Sequence, residues 1–224
     1  MQNKKLINTN KIMVHFGEIP EEFCNEERAK IVILPIPYDG TSTWVKGSDK
    51  GPEALLEASA NMELYDIETD TEVYRHGIFT APAIDEDKSP EKMVSASESV
   101  AKQYIDKGKF LVTIGGEHSV SIGPIQAHAK KYSNLSVLQI DAHADLCDSY
   151  EGSKNNHACV MARAQDLCPI VQVGIRSMDI GEKDRLDPSR VFWAHTIMDN
   201  DNWMDEAIEQ LTDNVYLTID LDGF

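Results

Sequence analysis

The chain has 224 residues, an apolar content of 42% and a formal net charge of −17 at pH 7. That length supports one substantial core, so we expect a single domain spanning 1–224. The acidic balance argues against nucleic acid as a partner, because phosphate binding depends on clustered Lys and Arg. A metal ion or a small cationic molecule fits it better.

The N-terminal region contains no apolar run of the kind that a secretory signal or a membrane helix requires. We therefore expect a cytoplasmic protein without a membrane partner, in which residues 1–25 form an arm leading into the first strand. The cysteines show no CxxC pairing, which favours free thiols over disulfides. They are Cys24, Cys147, Cys159 and Cys168.

From about Lys30 onward, short apolar runs alternate with amphipathic segments. The pattern predicts, in chain order, a buried strand at 31–34, a helix at about 53–60, a helix that begins at Pro90 behind a Ser89 cap and stops at Gly108, a buried strand at 110–114, a helix at about 122–131, strands at 136–140, 170–173 and 191–193, a helix at about 203–211 and a strand at 215–219. Such alternation implies an α/β fold with a mainly parallel sheet.

Three of the predicted strands run directly into side chains that commonly bind metals. Ligands of parallel α/β sheets sit outside the carboxyl ends of the strands, so these side chains are expected at one edge. Alternate residues of an extended segment point the same way, which lets neighbours in each segment face one point. The candidates are His118, Asp141, His143, Asp145, Asp220 and Asp222.

A single Asp-x-Asp after a strand is more often a cap or a turn than a metal site. Three such segments at equivalent positions are different, because four ionised carboxylates brought together repel one another unless strong positive charge lies between them. Two divalent ions supply that charge. Oxygen-rich ligation with two imidazoles and no thiolate favours Mn²⁺ over Zn²⁺.

These segments carry a family resemblance. GlyGlyGluHisSer at 115–119, AspAlaHisAlaAsp at 141–145 and ThrIleAspLeuAspGly at 218–223 resemble, in the same order, the three metal-binding signatures of the ureohydrolase (arginase/agmatinase) family. Segments at 38–43, 50–53 and 157–163 are more similar to agmatinase-like members. The resemblance implies a three-layer α/β/α fold of the arginase/deacetylase type, two Mn²⁺ ions per subunit and a homo-oligomer, either a trimer or a hexamer.

The resemblance also implies roles for individual residues. One ion would be held by His118, Asp141, Asp145 and Asp220, and the other by Asp141, His143, Asp220 and Asp222, so that two aspartates bridge. His157 matches the family's acid/base histidine, and its ordinary pKa suits proton transfer near neutral pH. Glu117 stands where many members have Asp, at a position that is not a metal ligand. The ions would activate a water molecule that attacks the guanidinium carbon.

The loop between the second signature and His157 bears on the substrate. It carries Asp148 and Glu151, which suit a terminal ammonium group, and only Lys154 as a partner for a carboxylate. A decarboxylated amine is therefore the first choice, with agmatine cleaved to putrescine and urea. Arginine, guanidinobutyrate, guanidine and formiminoglutamate stay open as alternatives.

Relatives continue for several tens of residues beyond the position that corresponds to Phe224, and the family carboxylate that grips the guanidinium group lies in that part. No residue is therefore assigned to bind the substrate, and we expect the sequence to be a fragment of a longer protein. The alternative is a shortened homologue that binds metal without catalysis.

Overall fold

The computed structural model describes residues 15–198 and 201–224. Its strands are β1 Ile31–Ile36, β2 Ile78–Thr80, β3 Phe110–Gly115, β4 Leu135–Ile140, β5 Ile170–Ile175, β6 Val191–Trp193 and β7 Asn214–Ile219. The helices are α1 Gly51–Ser59, α2 Pro90–Asp106, α3 Ile122–Lys131, α4 Val160–Gln165, α5 Ala194–Ile197 and α6 Asn202–Glu209. Short 3₁₀ helices join several of them, including His118–Ser121, His157–Cys159 and Leu221–Gly223.

The strands form two parallel sheets, ordered β2-β1-β3 and β6-β5-β4-β7. In the first, β1 pairs along its whole length with β3, and in the second β4 pairs along its whole length with β7. The carboxyl ends of β3, β4 and β7 are each followed by one of the predicted metal-binding segments. Because β4 and β7 are parallel and pair along their whole length, their two segments leave the sheet at the same edge. The predicted α/β class is thereby confirmed.

Side chains of each sheet alternate between two helical layers. In β1, Val32 and Leu34 pack into the largest core cluster, which also contains Met93 of α2 and Ile125 of α3. The intervening Ile33 packs on the opposite side, in a cluster with Leu56 of α1. This period-two pattern on a strand with apolar residues on both faces produces the expected three layers, with helices above and below the sheet.

Several predicted boundaries are confirmed closely. The helix at 122–131 and the strand at 191–193 have the predicted limits. The helix α2 starts at Pro90, and the Ser89 hydroxyl accepts a hydrogen bond from the backbone N–H of Lys92, as expected of a cap. Three short elements were not predicted: β2, α4 and α5.

A cavity of about 670 Å³ lies between β3 and β7 and extends to His118 and Asp220. It accounts for an error in the sequence-based prediction, which placed 110–114 in a buried strand. Phe110 is 69% exposed, and the residues that follow it in β3 are only partly buried. The side chains of β3 stay partly exposed because, in the described ranges, this strand is paired on one side only, with β1.

The segment that precedes β1 is described from His15 onward, so most of the predicted N-terminal arm lies outside the described residues. The part that is described packs against the fold: the backbone N–H of Phe16 donates to Thr80 Oγ1, and that of Gly17 donates to Ser59 Oγ.

All four cysteines are free thiols, as predicted. None of the helices within the described ranges has the length and apolar content needed to cross a bilayer.

Candidate metal centre

The first candidate ligand follows β3 through two glycines. A Cβ atom at Gly116 would lie 2.1 Å from the carbonyl oxygen of Tyr38, so only glycine permits this close approach between the ends of β3 and β1. The next residue, Glu117, donates its backbone N–H to the same carbonyl over 3.0 Å. The chain then turns into the 3₁₀ helix that begins with His118, which fixes the imidazole at the edge of the sheet.

The segment after β4 is held by its own side chains and by α4. Asp141 Oδ1 accepts the backbone N–H of His143 over 2.7 Å. Asp145 has a left-handed backbone, with φ of 53°, and its carbonyl accepts the N–H groups of Met161 and Ala162 at the start of α4. A non-glycine residue in this region is uncommon, and Asp is one of the few types that tolerates it.

The segment after β7 folds back towards the second one. Asp220 precedes the 3₁₀ helix Leu221–Gly223, and its Oδ1 accepts the backbone N–H of Asp222 over 3.2 Å. Asp222 in turn accepts the backbone N–H of Ala142 at Oδ1, over 3.1 Å. This contact ties the ends of β7 and β4 together.

A buried group of possible ligands consists of His118, Asp141 and Asp145, whose ligand atoms all lie within 4.8 Å of one another. His118 Nδ1 is 2.7 Å from Asp145 Oδ2 and 3.2 Å from Asp141 Oδ2. The other ring nitrogen, Nε2, is 2.9 Å from Thr218 Oγ1. A proton on Nε2, donated to that hydroxyl, leaves Nδ1 as the ligand atom.

A second, open group consists of Asp141, His143 and Asp222, again with ligand atoms within 4.8 Å of one another. His143 Nδ1 lies 3.0 Å from Asp222 Oδ2 and 3.7 Å from Asp141 Oδ1. The His143 side chain is 53% exposed, whereas that of His118 is 6% exposed. Asp141 belongs to both groups, so the centre has a buried half and a solvent-facing half joined by one carboxylate.

The structure thus brings five of the six predicted ligands into two groups that share Asp141. Asp220, which the resemblance made a second bridging ligand, lies outside both groups in the part of the chain that the structure describes. It is half-buried on the wall of the cavity between β3 and β7. Its bridging role stays a prediction.

The charges of the buried group show what the site requires. Burial by itself would lower the pKa of His118, but the hydrogen bonds and charges of Asp141 and Asp145 raise it well above its ordinary value. Burial raises the pKa of Asp145, and the charge of Asp141 adds to this effect. Burial also raises the pKa of Asp222, together with the charges of Asp220 and Asp141. The pKa of Asp141 is lowered, against its burial, by the hydrogen bond and charge of His118. A donor set in which two carboxylates resist ionisation beside a third fits divalent cations, which remove that repulsion.

Two buried glutamines, to which the sequence analysis gave no role, support the shared carboxylate. Gln139 Nε2 donates to Asp141 Oδ2 over 2.7 Å and to the His143 carbonyl over 3.1 Å. Gln172 Nε2 donates to Gln139 Oε1 over 2.6 Å and to the Ala144 carbonyl over 2.8 Å. The sequence signal for this role is a polar glutamine within each of two largely apolar strands. Their partners became apparent only with the pairing of β4 and β5.

The predicted acid/base residue, His157, begins the 3₁₀ helix that leads into α4. Its Nδ1 is 3.2 Å from Thr41 Oγ1, and its backbone N–H donates to the same oxygen over 3.0 Å. The ring of Tyr150 meets it edge-on, with centroids 5.9 Å apart. The contact with Thr41 was not foreseen, because 116 residues separate the two positions.

Two of the three loop residues considered for substrate charge, Asp148 and Lys154, are already paired with protein groups. Asp148 forms ion pairs with Lys154, Arg163 and Arg185 at N–O distances of 3.1 to 3.2 Å. The Asp148 carboxylate is therefore engaged by three cations, and Lys154 is engaged by a carboxylate. Glu151 is exposed, with a left-handed backbone at φ of 47°.

Comparisons with known proteins identify relatives of this chain. A model of the arginase family matches residues 29–224. The N(1)-aminopropylagmatine ureohydrolase of Synechocystis sp. is 41% identical over 226 residues, which cover 93% of this chain and 74% of that protein. The agmatinase of Pyrococcus horikoshii is 31% identical over 199 residues, covering 88% and 69% respectively. The solved agmatine ureohydrolase of Thermoplasma volcanium superimposes with a TM-score of 0.80 at 30% identity, covering 88% of this chain and 69% of that one.

Proposed function

The chain belongs to the arginase family, and from this premise we propose that it hydrolyses a guanidino amine of the agmatine type to urea and the free amine, with two Mn²⁺ ions as cofactors. The observation that carries the proposal is the convergence of carboxylates and imidazoles from three strand ends into two groups that share Asp141. When bound, two such ions would neutralise the carboxylates and supply hydroxide from water near neutral pH.

The protein's own residues would hold the ions in unequal surroundings. His118 and Asp145 would serve the buried position, His143 and Asp222 the exposed one, and Asp141 both. Asp220 is proposed as a further shared ligand on the resemblance alone. The oxygen-rich donor set with two imidazoles supports Mn²⁺.

His157 is proposed to move the proton that the reaction requires. Collapse of the tetrahedral carbon breaks its bond to the amine, and that nitrogen must gain a proton before it leaves. An imidazole held at the loop before α4 can give this proton and recover it from water, because histidine is the side chain best suited to exchange protons under physiological conditions.

Three cations engage Asp148, so this carboxylate is not available to a substrate ammonium. The preference for an amine over an amino acid rests instead on the lack of a free cation in the loop that could bind a carboxylate. Lys154, the one cation between 146 and 156, lies 3.1 Å from Asp148 Oδ2, so it is not free to bind a carboxylate. Agmatine is the first candidate. N(1)-aminopropylagmatine is the second, because a relative named for that activity is 41% identical over 93% of this chain.

A panel of guanidino compounds tests the proposal. The purified protein, loaded with Mn²⁺, is assayed for urea release from agmatine, N(1)-aminopropylagmatine, arginine, guanidinobutyrate and guanidine, and for formamide release from formiminoglutamate. We expect the highest kcat/KM for one of the two agmatine compounds. Arginine or formiminoglutamate as the best substrate would contradict the substrate proposal. Two bound ions without turnover of any compound would establish a non-catalytic homologue.

A further inference from the structure

We propose that Thr41, whose hydroxyl is oriented by Glu117, holds His157 in the tautomer that carries its proton on Nδ1, so that Nε2 exchanges the proton with the leaving amine. This inference rests on the proposed function for the role of His157. It makes Thr41 and Glu117 positioning residues, although the sequence analysis gave neither of them a part in the chemistry.

The argument starts from Glu117, whose carboxylate is surrounded by donors. Its Oε2 accepts the backbone N–H of Ser119 over 2.8 Å, and its Oε1 accepts the backbone N–H of Thr41 over 3.3 Å. Backbone N–H groups can only donate, so both carboxylate oxygens of Glu117 act as acceptors here. The Thr41 hydroxyl, 2.8 Å from Oε1, must then point its hydrogen at Glu117.

The hydroxyl of Thr41 has one hydrogen and two lone pairs. With the hydrogen directed at Glu117, both remaining contacts of Oγ1 must come from donors. One is the backbone N–H of His157 at 3.0 Å, and the other is His157 Nδ1 at 3.2 Å. Every hydrogen-bonding position of the hydroxyl is filled when Nδ1 carries a hydrogen.

The consequence concerns the other nitrogen of His157. A neutral imidazole has one N–H, so a hydrogen fixed on Nδ1 leaves the lone pair on Nε2. That nitrogen takes up and returns the catalytic proton, while Nδ1 stays bound to Thr41 in both protonation states. The arrangement joins the loop after β1, the turn after β3 and the start of the helix before α4, so three separate segments determine one tautomer.

The burial of Thr41 suits this role. It is 6% exposed, so water does not compete strongly for its hydroxyl. Valine has nearly the same shape without the hydroxyl, and serine keeps the hydroxyl without the methyl group. Thr41→Val and Thr41→Ser therefore form a matched pair, in which the first removes the contact and the second preserves it.

The first test is a double-mutant cycle on the Mn²⁺-loaded enzyme. We expect Thr41→Val to lower kcat about 10- to 100-fold, as loss of a partner that orients a functional imidazole commonly does. KM and metal content should change little, and Thr41→Ser should restore most of kcat. In a His157→Ala background Thr41→Val should lose most of its effect, because only the bond from the backbone N–H of residue 157 to Thr41 Oγ1 then remains.

Either of two kinetic results would overturn the inference: no loss of kcat in Thr41→Val, or the same loss with and without His157. The second result would mean that Thr41 supports the fold or the ions instead. If the wild-type protein released no product from any guanidino compound, the proposed function would fail, and the tautomer would still be open to direct measurement.

That measurement is the NMR spectrum of histidine labelled at its ring nitrogens, in protein loaded with diamagnetic Zn²⁺. The His157 signal, assigned by its absence in His157→Ala, should show the hydrogen on Nδ1 in the wild type. It should move toward a mixture of tautomers in Thr41→Val. A wild-type ring with its hydrogen on Nε2 would refute the inference whatever the kinetics, and this reading requires no folded Thr41 variant.

Discussion

Gln139 donates a hydrogen bond of 2.7 Å from Nε2 to Oδ2 of Asp141, where both residues are almost completely buried. The same carboxylate is the one that the two groups of possible ligands share. A buried amide thus orients the carboxylate whose Oδ2 faces His118 in the buried half and whose Oδ1 faces His143 in the open half. Partners of this kind commonly matter for metal affinity nearly as much as the ligands themselves.

Gln139→Leu is expected to weaken Mn²⁺ binding about 10- to 100-fold, because the Asp141 carboxylate loses the donor that orients it. Calorimetric titration of the metal-free protein measures the affinity, with thermal unfolding as a check on folding. Gln165→Leu is the matched control, since it removes a similar amide bond, to the Arg185 carbonyl, away from the centre. Equal affinities in the wild type and Gln139→Leu would contradict this prediction.

Asp141→Asn is expected to cost both ions, because one charged carboxylate serves both groups. Elemental analysis after dialysis against a fixed Mn²⁺ concentration gives the number of ions per chain. Asp148→Asn is the control, as it alters an exposed carboxylate that is engaged by Lys and Arg. Two retained ions in Asp141→Asn would rule out the shared role, and the same measurement on Asp220→Asn tests whether that residue also bridges.

His157→Ala is expected to keep its metal and lose about 10²- to 10⁴-fold in kcat, the usual contribution of a general acid or base. His76→Ala provides the comparison, because His76 is an exposed histidine outside the centre and should leave turnover unchanged. Initial rates with agmatine and metal analysis of the same samples separate the two effects. A parallel loss of metal and rate would show that His157 supports the ions.

His128 provides a prediction about stability and pH. Burial lowers its pKa from 6.5, although the bond from Nδ1 to the Pro124 carbonyl acts in the opposite direction. Since the folded state binds this proton less readily than the unfolded chain, its contribution is complete above pH 6.5 and is lost as the pH falls through the folded value. The free energy of unfolding should therefore decrease with acidification more steeply in the wild type than in His128→Gln.

Urea denaturation of both proteins at pH values on either side of 6.5 measures this difference. Glutamine can still donate to the Pro124 carbonyl but does not titrate, so the comparison isolates the proton. Parallel pH dependences would show that His128 has the same pKa in the folded and unfolded states.

Local signals in the sequence were enough for much of the fold. The Ser89 cap with Pro90 located the start of α2, and apolar spacing gave both limits of α3. Three-residue β2 is too short for any periodicity to stand out. The exposure of Phe110 depends on which strands flank β3, and that is a property of topology that no local pattern contains.

The candidate site divides in the same way. The ligands follow their strands directly, so the alternation of side chains and the shared edge of a parallel sheet predicted their convergence. Gln139 and Gln172 are opposite each other only because β4 and β5 pair in one register, and a shift of one residue would separate them. The contact between Thr41 and Glu117 could not be predicted from residue spacing, because 76 residues separate the two positions and only the folded chain brings them together.

The left-handed backbone of Asp145 restricts how this protein can diverge. Glycine and asparagine accept that conformation at little cost, but neither carries a negative charge; glutamate keeps the charge but strains the main chain. Descendants that change this position can therefore preserve the architecture or the chemistry, but not readily both. Relatives with another residue at this position should therefore be well-folded proteins in which the buried group of possible ligands has lost a charged oxygen donor.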